Sequence, residues 1–193
     1  MGFSAAANSC CACQTAGDTR GGTIRELGPS PEPVEEIHND SRTFRFGDFA
    51  VRMAKPFTME CVSASTGAAL WTYTSTAYLY TEIEERGGLL YFGTAGKGGR
   101  FCCVSLADGS EMFTYDTGGT VRYYWHEGNV LLPDRKGDVL LLSSKDGAVL
   151  NRIALRKPKL TATWHMLVRD GKLYLAASEA KTPFALRAVC ADL

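Results

Sequence analysis

Arg86-Gly87-Gly88-Leu89-Leu90-Tyr91-Phe92-Gly93, a glycine-rich break from Ala95 to Gly99, and then Phe101-Cys102-Cys103-Val104-Ser105-Leu106-Ala107-Asp108-Gly109-Ser110-Glu111-Met112-Phe113-Thr114-Tyr115 decide how the chain is read. Two short apolar runs meet across the glycine-rich turn, and a third follows Asp108-Gly109. Asp-Gly between β-like runs is a strong hairpin signal, because a primed turn needs positive φ and glycine adopts it without a Cβ clash. The stretch predicts three consecutive strands joined by tight turns.

The same pattern is written again on both sides. A glycine followed by an apolar run starts at Gly47, Gly87, Gly128 and Gly171, at spacings of 40, 41 and 43 residues. An apolar strand, a short polar turn ending in glycine and another strand recur around Gly67, Gly109 and Gly147, at spacings of 42 and 38. Two independent motifs with one shared period of about 40 residues are the mark of propeller blades with about four short strands each. The runs are short, turn-bounded and rich in Val, Leu, Tyr and Phe, whereas helical repeats would space their apolar residues by about 3.6. The expected fold class is therefore all-β, a β-propeller of about four four-stranded blades over residues 21–193. A Cys-containing tail without apolar periodicity, residues 1–20, precedes it.

The ends suggest how such a ring could close. The chain stops at Arg187-Ala188-Val189-Cys190-Ala191-Asp192-Leu193, where a turn glycine and an outer strand should follow, and Gly22-Thr23-Ile24-Arg25-Glu26-Leu27 has the form of that strand. Between them and the repeats, Gly28 to Pro33 reads as a proline-rich break and Val34 to Asp40 as an acidic surface connection. Pairing of the two ends would remove exposed sheet edges. A four-bladed ring, a piece of a larger propeller, and self-association of two chains to complete one ring all stay open.

Charge is balanced at 21 Lys plus Arg against 21 Asp plus Glu, so no nucleic-acid or membrane partner is implied. Apolar runs such as Val139 to Leu142 are far shorter than the ~20 residues of a membrane-spanning helix. The first residues lack a positive n-region and a long apolar core, so they do not read as a secretory signal. Seven cysteines are an odd number, which favours free thiols and a reducing, cytoplasmic location. Cys10, Cys11 and Cys13 have no matching ligand pair nearby, and a mononuclear zinc site wants four ligands.

Cys61 to Trp71, with Thr66-Gly67 and then Trp71 four residues after the glycine, resembles the pyrroloquinoline-quinone-like propeller repeat. The resemblance spans residues 45–193 and implies a quinoprotein-type propeller. The Trp position becomes Phe113 and then Asn151 in the next two units, as expected of a residue that packs between blades in some units and is replaced in others. The resemblance also implies an enzymatic alternative, a truncated or divergent relative of quinone-dependent dehydrogenases, which carry a vicinal disulfide beside the cofactor and a calcium site of Glu, Asn and Asp. Cys102-Cys103 lies inside a strand, where adjacent side chains point to opposite faces. Cys103 also sits six residues before its turn glycine, as Cys61 and Leu141 do, so it reads as an apolar core position. No calcium set is recognisable. The expectation is no cofactor, no metal and no catalytic residue.

Segments preceding each glycine-apolar motif should form innermost strands around a central channel. They contain Tyr78, Tyr80 and Glu82, then Arg122, Tyr123, Tyr124, Trp125 and His126, then Trp164 and His165. Of these, Tyr80, Arg122, Tyr124, Trp164 and His165 are the expected ligand-binding residues, offering aromatic, basic and imidazole groups to a small anion, a peptide or a partner loop. The competing reading packs the aromatics between blades and leaves the histidines on the rim. Gly93 to Gly99 lacks the Gly-Lys-Ser/Thr ending of a phosphate loop. Arg152 to Lys159 is a basic, solvated connection, and Asp134 and Asp138 with two cations between them are a poor calcium site. The functional expectation is a non-catalytic binding or scaffolding module that holds a protein or small ligand.

Overall fold

The computed structural model describes residues 32–33, 42–134, 138–154, 160–179 and 186–193. Seventeen strands and no helix occur among them, and none of the described segments is a helix long and apolar enough to cross a membrane. The first strand is β1 (Glu32–Pro33). Blade 1 is the sheet β2-β3-β4-β5, formed by Thr43–Phe46, Phe49–Lys55, Thr58–Ser63 and Ala69–Thr74. Blade 2 contains β6 (Tyr78–Leu79), β7 (Glu84–Arg86), β8 (Leu89–Ala95), β9 (Arg100–Ser105) and β10 (Glu111–Asp116). Blade 3 has the order β1-β11-β12-β13-β14, with β11 at Tyr124–His126, β12 at Asn129–Pro133, β13 at Val139–Leu142 and β14 at Val149–Ile153. Blade 4 is β15-β16-β17, at Leu160–Arg169, Lys172–Glu179 and Leu186–Asp192. By contact the chain forms two compact units: Pro33–Leu132 with Leu142–Val149, and the described residues outside those ranges.

The predicted repeat is therefore the observed one, with differences in strand count. The proline-rich segment is not only a break, because Glu32–Pro33 pairs at the edge of blade 3. An edge tolerates proline, whose missing N–H need not face a neighbour. The inner strand of blade 2 is split. Tyr78 and Leu79 pair with Ala95 and Thr94, while Glu84 to Arg86 pair with Tyr91 to Leu89. In the gap the Tyr80 and Thr81 N–H groups both donate to the Gly93 carbonyl, at 2.9 and 3.2 Å. The Gly93 N–H donates to the Thr81 hydroxyl at 2.7 Å, so a side chain stands in for the missing ladder partner. The tail cysteines and the Gly22–Leu27 strand expected to close the ring lie outside the described residues.

Blade 2 shows why its sequence reads as unbroken apolar runs. Leu90, Phe92, Cys102 and Val104 point to one face, in a buried cluster with Val51, Met59 and Cys61 of blade 1. Tyr91, Phe101 and Cys103 point to the other, where Phe101 lies 4.7 Å from Tyr123 and Tyr91 lies 5.0 Å from Trp125 between ring centroids. With both faces covered, polar-apolar alternation has no reason to appear.

The repeat aromatics fasten one blade to the next. Trp71 donates its indole N–H to the Leu106 carbonyl at 2.9 Å, and its ring lies where a Cβ on Gly109 would come within 2.6 Å of Cε3. Phe113 repeats the contact one unit on, with its Cδ2 at 2.4 Å from the Cβ position of Gly147. Both glycines have positive φ, +72° and +71°, so the turn needs glycine twice over, for its backbone and for the ring above it. Asn151 has no ring to continue the series.

Candidate functional site

The hairpins of β3–β4 and β8–β9 lie at the same end of the unit built from Pro33–Leu132 and Leu142–Val149, opposite the turns at Gly47, Gly67, Gly87 and Gly109. Four segments are laced together there by backbone hydrogen bonds. The Ser75 N–H donates to the Phe57 carbonyl at 2.8 Å, and the Val121 N–H to the Thr94 carbonyl at 2.9 Å. The Thr117 and Gly118 N–H groups both reach the Gly99 carbonyl at 3.2 Å, and the Thr117 hydroxyl adds a third bond to it at 2.9 Å. Tyr78 pairs with Ala95. Tyr80 and Arg122, two of the predicted binding residues, thus flank the same end of β8, and both are partly exposed.

Two further aromatics occupy this end. Phe57, in the β3–β4 turn, and Tyr78 stack at 4.4 Å between centroids with an interplanar angle of 34°, and they are 38% and 53% exposed. Sequence reasoning placed Tyr78 on an inner strand and overlooked Phe57. Its only signal was a large apolar residue after Pro56 in a turn.

The other predicted residues are placed differently. Tyr124 is buried, pairs with Leu131 in β12, and lies between the buried Tyr123 and Trp125. The Tyr123 hydroxyl donates to the Tyr91 carbonyl at 3.2 Å, and burial pushes its pKa up. The Trp125 indole N–H donates to Glu84 Oε2 at 2.5 Å, while the Arg86 guanidinium sits 3.8 Å over the Trp125 ring and donates to the same carboxylate at 3.3 Å. These rings pack between blades 2 and 3. Trp164 and His165 belong to β15 in the other compact unit; His165 pairs with Ala176, and the register shift beside it makes Trp164 an extra, bulged residue.

Among the described residues, the vicinal disulfide and calcium set of a dehydrogenase-type quinone site are not found. Cys102 and Cys103 are free, buried thiols on opposite faces of β9. Burial pushes Cys102 up to about 12 and Cys103 up to about 11. Among the described residues no group of three or more His, Cys, Asp or Glu is placed to hold a metal ion.

Antiparallel blades of this kind, with an aromatic of one blade seated on the turn glycine of the next, define a quinoprotein-like propeller. The profile of the family described as outer membrane protein assembly factor BamB matches residues 34–189, and the chain belongs to that family of pyrroloquinoline-quinone-like propellers. Among solved structures it is similar to BamB from Moraxella catarrhalis, at 13% identity and a TM-score of 0.48, covering 80% of this chain and 43% of that one. It is also similar to two computationally designed proteins. Ika8 matches at 14% identity and a TM-score of 0.51 over 76% of this chain and 48% of that one. Ika4 matches at 12% identity and a TM-score of 0.51 over 88% of this chain and 98% of that one. The chain spans less than half the length of BamB and of Ika8. No curated protein matches it.

Proposed function

We propose that the chain is a non-catalytic binding module that holds a protein or peptide partner at the end of its blades that carries the β3–β4 and β8–β9 hairpins. One observation carries this reading: Tyr80 and Arg122 are brought to the same end of β8 by backbone hydrogen bonds on both sides. A contact surface fixed in this way loses little conformational freedom on binding. Tyr124 is buried in β11, two residues on from Arg122, and Trp164 and His165 lie on β15 in the other compact unit. The family description, an assembly factor, agrees with a protein partner. The four free cysteines among the described residues, Cys61, Cys102, Cys103 and Cys190, agree with a reducing, cytoplasmic setting, which cell fractionation would test. Self-association that completes a ring belongs to the same proposal, and mass measured across a concentration series checks it.

The functional test pans a displayed random-peptide library on the wild-type chain and on Tyr80→Ala and Arg122→Ala. Peptides enriched by the wild type should be captured roughly tenfold more weakly by the variants, with melting temperatures almost unchanged. If either variant loses several kcal/mol of stability, that residue is core and the site is wrong. Calcium-dependent dye reduction on adding the quinone would overturn the non-catalytic reading.

A further inference from the structure

The end of the first compact unit carries a charge pattern that the chain as a whole lacks. The four segments laced together there are residues 53–58, 75–80, 94–100 and 117–122. They contain Lys55, Lys97, Arg100 and Arg122 and no Asp or Glu, in a chain with equal numbers of cations and carboxylates. Lys55 and Lys97 are exposed. Of the flanking carboxylates, Asp116 pairs with Arg100 across the β9–β10 ladder and accepts the Gly118 N–H at 2.7 Å, Glu60 is ion-paired with Arg52 at 3.3 Å, and Glu82 with Arg42 at 2.5 Å. The same four segments carry the half-exposed stack of Phe57 and Tyr78, with Lys55 two residues before Phe57 and Lys97 two residues after Ala95, the ladder partner of Tyr78. The chain on either side of that stack is anchored by the Ser75–Phe57 hydrogen bond and the Tyr78–Ala95 pair.

We infer that Phe57 and Tyr78, flanked by Lys55 and Lys97, form a docking platform for an acidic peptide segment bearing one aromatic or large apolar anchor. The inference rests on the binding-module reading above and supplies its partner chemistry. Rigid aromatics give large contact area at low entropic cost, and such residues are enriched where interfaces concentrate their energy. The surrounding cations would steer and orient carboxylates beside the anchor. Aromatics with cations also suit single-stranded nucleic acid, but backbone-driven nucleic-acid binding draws on a broad positive field, and this chain has no net charge.

The experiment takes peptides selected from the random library, synthesises them with a fluorescent label, and measures anisotropy against wild type, Tyr78→Ala, Lys97→Glu and the remote Arg45→Ala. Selected peptides should be acidic with a single apolar anchor. Their affinity should fall roughly tenfold in Tyr78→Ala and in Lys97→Glu and stay level in Arg45→Ala. A labelled oligothymidylate should bind more weakly than the peptides. Enrichment of basic or uncharged peptides, acidic peptides indifferent to Tyr78→Ala, or tighter binding of the oligothymidylate overturns the platform alone. Failure to enrich any peptide overturns the platform together with the reading beneath it.

Discussion

Blades 1 and 2 carry aromatic side chains at both ends, and the two sets meet opposite fates. At the glycine-turn end, Trp71 is seated on Gly109 and bonded to the Leu106 carbonyl, so its ring is consumed by the neighbouring blade. At the hairpin end, Phe57 and Tyr78 have each other and remain 38% and 53% exposed. Residue type alone does not separate an aromatic enclosed by the next blade from one left exposed. What separates them is whether the next repeat supplies a flat, side-chain-free surface to receive the ring.

Substitutions should break this contrast in graded fashion. The largest effect is expected for Gly109→Val, which puts a β-branched side chain at φ +72° and within 2.6 Å of the Trp71 ring. It should remove at least about 3 kcal/mol of stability, read from urea unfolding, or prevent soluble folding. Trp71→Ala leaves a hole between blades and an unpaired Leu106 carbonyl, and should cost about 3 kcal/mol. Phe113→Ala, which loses the same seat on Gly147 but no hydrogen bond, should cost about 1 kcal/mol less than that. Comparing the two measures the worth of the indole N–H.

Alkali should act on the buried side of the contrast. Cys102 and Cys103 are held protonated by burial, rising from the ordinary 9.0 to about 12 and about 11. The unfolded chain releases those protons first, so this contribution to stability is intact below pH 9 and is lost as pH rises toward 11 and 12. Thiol labelling of the native protein at pH 8 should be far slower than labelling in urea, and the unfolding midpoint should fall steadily above pH 9. The smallest effect belongs to Leu70→Ser. Leu70 is 48% exposed and is the extra residue where the β4–β5 register shifts, so its replacement should stay within about 0.5 kcal/mol.

Much of the fold was legible because the repeat speaks several times. The glycines at Gly67, Gly109 and Gly147 mark turns whose backbone requires them, and Cys102-Cys103 could be placed inside a strand with its side chains on opposite faces. The drift from Trp71 to Phe113 was also readable as packing between blades. The split of β6 from β7 was not, because it depends on one Thr81 hydroxyl replacing a ladder bond, which no strand propensity encodes. Inner-strand position predicted that Tyr80 and Arg122 would share a location. It could not distinguish them from Tyr124, since burial there is decided by Leu131 and the neighbouring rings. Phe57 escaped because a single aromatic in a turn has no period, and its partner lies 21 residues away in Tyr78.

The most direct test measures urea unfolding and peptide binding on the same two proteins, Trp71→Ala and the double variant Phe57→Ala/Tyr78→Ala. The predicted result is a crossover. Trp71→Ala loses about 3 kcal/mol yet binds selected peptides like the wild type wherever it remains folded, while the double variant keeps its stability within about 1 kcal/mol and loses binding. A double variant as destabilised as Trp71→Ala, or one that still binds, would contradict the account.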